Sequence, residues 1–125
     1  MPCSVLVIDD SPFVFKAVKR ALEPHGIQIV GHAKNGQQGI ELVQELTPDV
    51  ITLDITMPVM DGLQTADWLS KHRPGSRVIM MSAMGDDGLL ETARQLGVDH
   101  FISKPFQGDD LLTAVRQLAA EGGNS

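Results

Sequence analysis

Five short apolar runs recur along the chain, separated by longer stretches with helical spacing. The runs are "SVLVI" (4–8), "IQIVGH" (27–32), "VITL" (50–53), "RVIMMS" (77–82) and "HFIS" (100–103). None reaches helix length and most are β-branched, so they predict strands. Several lack polar alternation, the pattern of parallel strands covered by helices on both faces. Between them lie helix patterns. Ser11 and Pro12 read as N-cap and first-turn proline, with Phe13, Ala17, Ala21 and Leu22 on one face and Gly26 beyond the end. Ile40, Val43 and Leu46 stripe a second helix that halts before Pro48, and Leu63, Ala66 and Leu69 a third that ends at "HRPG". Leu89, Ala93 and Leu96 stripe a fourth, with Gly97 as its terminal glycine, and Leu111, Leu112, Val115, Leu118 and Ala119 a fifth. Strand–helix alternation of this kind predicts right-handed βαβ crossovers and an α/β fold with a doubly wound parallel sheet.

Length and charge narrow the function classes. A chain of 125 residues with 42% hydrophobic content buries a sizeable core as one domain, and disorder is excluded. The single cysteine, Cys3, has no internal partner, which fits a reducing cytoplasm; it reads as a small buried hydrophobe of the first strand. "MPCSVLVIDD" has neither the basic start nor the cleavage site of a signal peptide, and no membrane anchor is expected. A net charge of −6 argues against nucleic-acid binding and favours cationic partners, metal ions included.

In a doubly wound sheet, ligands bind outside the carboxyl ends of the strands. Asp9 and Asp10 follow the first run, Asp54 the third, and Lys104 the fifth, while Ser82 closes the fourth. Each has an ordinary reading alone: acids easing into a helix, a loop serine, an exposed lysine before proline. Their shared edge is what singles them out. Three gathered carboxylates repel unless a cation joins them, and hard oxygen ligands without nearby histidine or cysteine suit Mg2+ or Mn2+. Lys104 is placed to pair with a carboxylate or with an incoming phosphoryl group, and Ser82 to donate to the same group. The set is a workable site for phosphoryl transfer to an aspartate. His25, His32, His72 and His100 are dispersed without ligand spacing and receive no metal or catalytic role. The glycines of "NGQQG" lack a nucleotide-loop context, and Trp68 falls off its helix's stripe.

Over essentially its whole length, through "VLVIDDSP", "LDITMPVMDG", "MSAMG" and "FISKPF", the chain resembles the receiver domains of two-component response regulators. Stand-alone chemotaxis receivers of the CheY type resemble it most. The resemblance implies a flavodoxin-like (βα)5 fold with strand order 2-1-3-4-5, a receiver domain over 1–120, and a tail or linker start over 121–125. It implies Asp54 as phospho-acceptor, taking its phosphoryl group from a sensor histidine kinase or a small phosphodonor. Asp10 is implied as a direct Mg2+ ligand and Asp9 as one largely through water, with Asp54 and the Ile55 carbonyl completing the protein's ligands. Lys104 would hold phosphoryl oxygens through a segment whose bond to Pro105 is cis; Ser82 would swing to the phosphoryl group, and Phe101 would turn inward as the switch aromatic. Pro58 and Gly62 would shape the loop after the acceptor, while Thr56 and Met84 tune dephosphorylation. Phe101 lacks the hydroxyl of the commoner tyrosine, and Met84 cannot orient a water.

A phosphorylated aspartate carries roughly −1.5 to −2 of charge and new acceptor oxygens, which recruit Ser82 and Lys104 and bias the face made by the fourth helix, fifth strand and fifth helix. The expected protein is a switch that catalyses only its own phosphorylation and dephosphorylation, a monomer or a weak dimer once phosphorylated. Its expected target is a flagellar switch or another protein, with no direct nucleic-acid or membrane contact. The alternative is the N-terminal receiver of a larger regulator with a DNA-binding or enzymatic output. An external-substrate phosphatase would carry an acid at Thr56, and a flavin carrier a hydroxyl-rich loop in place of "DDSP".

Overall fold

The computed structural model describes residues 3–55, 57, 59–72, 75–82 and 87–122. The expectations at Thr56, Pro58 and Met84 lie outside the described residues. Among the described residues, five strands and five α-helices alternate: β1 (Ser4–Ile8), α1 (Pro12–Leu22), β2 (Gln28–Ala33), α2 (Gly36–Leu46), β3 (Val50–Asp54), α3 (Gly62–His72), β4 (Arg77–Ser82), α4 (Asp87–Gln95), β5 (His100–Ser103) and α5 (Gly108–Gly122). The strands form one parallel sheet in the order β2-β1-β3-β4-β5.

The unbroken apolar runs have a simple cause. Successive strand residues point to opposite faces, and here both faces are covered. Val5, Val7, Val50, Ile79 and Met81 enter the core beneath α1 and α5, where Val18, Leu22, Leu111 and Val115 meet them. Leu6, Ile8, Ile51, Leu53, Val78 and Met80 enter the opposite core with Val43, Ala66, Leu69 and Ala93 of the other helices. Each buried aliphatic side chain of this kind contributes roughly 1.5–3 kcal/mol. A polar residue within such a strand is exceptional, so functional groups collect where the strands end.

Several local expectations change. On α1, Leu22 is buried and Ala21 packs on the core as expected, but Phe13 is 79% exposed and Val18 is buried in its stead. The helix follows the i, i+4 row of Val14, Val18 and Leu22, because that row faces α5 and the sheet. Cys3 lies just before β1 and is half-buried. Helix α5 continues to Gly122, two residues beyond the expected edge of the tail.

The glycines of "NGQQG" serve packing. Asn35 caps α2 by accepting from the Gln38 amide at 2.9 Å. A Cβ on Gly36 would lie 2.7 Å from the Met60 carbonyl oxygen, and one on Gly39 would lie 2.6 Å from Ile8 Cδ1. Asp61 caps α3 with a reciprocal pair: its carboxylate accepts from the Gln64 amide at 2.8 Å, and the Gln64 side chain accepts from the Asp61 amide at 2.9 Å.

Two substitutions test the β3–α3 loop. A Cβ on Gly62 would stand 2.6 Å from Ile55 Cα and closer still to the Asp54 carbonyl oxygen. Gly62→Ala should therefore cost about 3 kcal/mol or more in urea unfolding, at the upper end of overpacking costs because the obstacle is backbone. Val59 takes φ +68 while 83% exposed, a left-handed conformation that costs a β-branched residue roughly 1–2 kcal/mol. Val59→Asn should stabilise the fold by about 1 kcal/mol in the same measurement.

Candidate functional site

The ladder register brings the polar strand ends together. Ile8 pairs with Leu53, Asp54 with Met81, and Ser82 with Ser103. Asp9, Asp54, Ser82 and Lys104 therefore emerge at one carboxyl edge, β1, β3 and β4 contributing from the centre of the sheet. Asp54 is the last residue of β3 rather than the first after it, held by the ladder itself. The Lys104 amide donates to the Ser82 carbonyl at 2.6 Å, which ties the β5–α5 connection to the end of β4. The Lys104–Pro105 peptide bond is cis.

Carboxylate oxygens of Asp9, Asp10 and Asp54 lie within 4.8 Å of one another. Asp9 and Asp54 are nearly closed off, at 2% and 8% exposure, whereas Asp10 is exposed. Lys104 Nζ donates to Asp9 Oδ2 at 2.9 Å and to Asp54 Oδ1 at 3.0 Å. The second Asp9 oxygen accepts from the Ser11 amide at 2.9 Å, and Ser11 in turn caps α1. Asp9 is thus fully engaged, Asp54 keeps one oxygen clear of Lys104, and no hydrogen bond holds the Asp10 carboxylate among the described residues.

One ammonium faces three carboxylates, and the electrostatics show the imbalance. Burial raises the Asp54 pKa above the usual carboxylate value; the Lys104 hydrogen bond and charge oppose this, while Asp9 and Asp10 add to it. Burial alone would lower Lys104, but its hydrogen bonds to Asp9 and Asp54 and their charges outweigh it and hold the ammonium above the usual lysine value. An all-oxygen set with negative charge in excess fits a hard divalent cation such as Mg2+, with Asp9, Asp10 and Asp54 supplying the carboxylates.

The Ile55 carbonyl accepts the Gly62 amide at 2.7 Å and closes the β3–α3 loop, leaving its second lone pair for a further partner. Ser82 is buried at the end of β4, and Phe101, half-buried, packs against the core that holds Met80 and Ala93. His32, whose position in the sequence carried no signal, lies against the site. Its Nε2 donates to the Asp9 carbonyl at 2.8 Å, and its ring stacks on Phe15 at 4.2 Å.

Residues 5–116 match the family model of the response regulator receiver domain. The chain is 38% identical over 115 residues to the chemotaxis protein CheY of Listeria monocytogenes, covering 92% of this chain and 97% of that one. It is 39% identical over 120 residues to the nitrate/nitrite response regulator protein NarL of Escherichia coli, covering 95% of this chain and 56% of that protein. The solved CheX–CheY–BeF3–Mg2+ complex from Borrelia burgdorferi matches with a TM-score of 0.89 at 32% identity, over 94% of this chain and 90% of that one. The chain belongs to the response regulator receiver domain family. Its relatives include chemotaxis CheY proteins, which are signalling proteins, and larger regulators of which it spans only part.

The raised Asp54 pKa sets a direction for stability. The folded chain holds that proton more tightly than the unfolded chain, so the contribution is full below the ordinary value of 3.8 and is lost as pH rises through the raised one. Asp54→Asn cannot ionise, and Lys104 keeps Asp9 as its partner. Without divalent cation, this variant should melt a few degrees above the wild type at neutral pH. The advantage should vanish as the pH falls toward the ordinary carboxyl range.

Proposed function

We propose that the chain is a phosphorylation-activated switch whose phospho-acceptor is Asp54. The observation that carries this reading is the bridge from Lys104 Nζ to both Asp9 and Asp54, set within three converging carboxylates. Lys104 holds Asp54 Oδ1, which leaves the other oxygen to attack phosphorus in line. The new O–P bond forms as the donor's bond to phosphorus breaks, and the electron pair leaves with the donor, acetate in the case of acetyl phosphate. Asp9, Asp10 and Asp54 would hold Mg2+, which would neutralise charge on the carboxylates and on the phosphoryl oxygens. The ammonium of Lys104 then faces the transferred group, and Ser82, at the adjacent strand end, donates to it.

The natural phosphodonor in this reading is a sensor histidine kinase in the cytoplasm. Phosphorylation draws on Ser82 and Lys104, both joined to the β4 and β5 ends, and shifts the α4-β5-α5 face, with Phe101 turning inward. That face binds the downstream protein. Coverage of nearly all of the Listeria CheY chain favours a chemotaxis-type output. The NarL relative, of which the chain spans about half, favours a second reading as the receiver, over 1–120, of a larger regulator. The reading frame beyond Ser125 distinguishes the two.

Incubation with Mg2+ and acetyl phosphate should add the mass of one phosphoryl group, stable in acid and lost in base. Intact mass spectrometry reads the gain, and persistence of that gain in Asp54→Asn would sink the acceptor assignment. Omitting Mg2+ or introducing Lys104→Met should slow the gain at least about tenfold, as expected when transition-state charge loses its partner.

A further inference from the structure

We propose that His32 is a positioning residue for the Asp10 carboxylate, acting through the Asp9–Asp10 peptide; this rests on reading the acid cluster as a Mg2+ site. Of the three carboxylates, Asp9 and Asp54 are tethered by Lys104, and Asp10 is not. Its placement is therefore a backbone matter. The plane of the Asp9–Asp10 peptide carries the Asp9 carbonyl at one side and the Asp10 nitrogen at the other, and it is rigid. Fixing the direction of that carbonyl fixes the plane from which Asp10 leaves.

His32 supplies that fixation. A carbonyl oxygen accepts only, so the 2.8 Å contact requires the proton on Nε2 of His32. The far side of Asp10 is clamped as well, because the Ser11 amide donates to the Asp9 carboxylate at 2.9 Å. Before both, the Asp9 amide donates to the Ala33 carbonyl at 2.9 Å, one residue along β2 from His32. Strand β2 therefore holds Asp9 at its amide and its carbonyl, and Asp10 hangs between two fixed points.

The imidazole is itself held. The Phe15 ring of α1 stacks on it with centroids 4.2 Å apart and planes 5° from parallel. The Lys19 ammonium, one turn further along α1, lies 5.4 Å from the Phe15 centroid. A rotation of His32 that freed the carbonyl would break this stack. Partners outside the ligand shell that orient ligands in this way carry about tenfold or more of metal affinity.

Two substitutions separate the hydrogen bond from the packing. His32→Phe keeps an aromatic ring against Phe15 and deletes the donor, whereas His32→Gln keeps a donor near the Nε2 position and deletes the stack. Calorimetric titration with Mg2+ alone, without phosphodonor, should show affinity about tenfold weaker in His32→Phe. In His32→Gln it should stay within about threefold of wild type. Wild-type affinity in folded His32→Phe, or equal losses in both variants, would overturn the proposal. If His32→Phe does not fold, the unmutated chain decides. Long-range 1H–15N spectra at alkaline pH should find neutral His32 protonated on Nε2, and a proton on Nδ1 overturns the assignment. A wild-type chain that binds no Mg2+ fails the metal reading itself and takes this proposal with it, a failure recognisable because no substitution is involved.

Discussion

Three converging carboxylates, two of them held by the ammonium of Lys104, at the carboxyl edge of a sheet whose central strands are buried, are the constraint around which this molecule is arranged. Lys104 reaches Asp9 and Asp54 from a connection on the far side of β4, so one ion-pair group joins strand ends that are distant in sequence. The group is short of positive charge; burial chiefly raises the Asp54 pKa, and the charges of Asp9 and Asp10 add to it against the opposition of Lys104. A buried pair of this kind is a poor source of net stability, since desolvation offsets most of the Coulomb gain. Its consequence is chemical: a site that favours the arrival of a cation and of a group whose charge Lys104 can face.

The fold makes this tension sustainable by confining it. Each central strand feeds alternate residues to two separate cores, leaving no room for a charge until the ladder ends. The polar ends then share an edge because parallel pairing brings every carboxyl terminus to the same side. Around the edge the backbone is tightly specified. Gly62 lets α3 start hard against the end of β3, the Ile55 carbonyl accepts the Gly62 amide at that junction, and the reciprocal Asp61–Gln64 cap starts the helix. Asp54 is therefore set on a rigid strand, while Ser82 and Lys104 sit at the ends of β4 and β5.

Much of this was legible in residue order. Apolar runs too short for helices, with stripes and caps between them, specify the alternating elements, since burial on both faces leaves a period that a sequence displays directly. Asp54 stood out because an acid closing such a run has no structural use, and Lys104 and Ser82 gained meaning from the same edge. Phe13 was misplaced on the α1 face because two adjacent apolar rows compete in "PFVFKAVKRAL", and only packing against α5 selects the row through Val18 and Leu22. His32 was missed because one histidine in a strand has no spacing to betray it.

The sequence by itself determined the elements, their class and the identity of the polar residues at the strand ends, because hydrophobic period and capping are local properties. Only the tertiary structure decided which oxygen of Asp54 remains clear of Lys104, that the Ile55 carbonyl accepts the Gly62 amide, and that His32 and Phe15 brace the Asp9–Asp10 peptide. Those facts depend on directions and distances between residues far apart in the chain, and a linear pattern does not encode them.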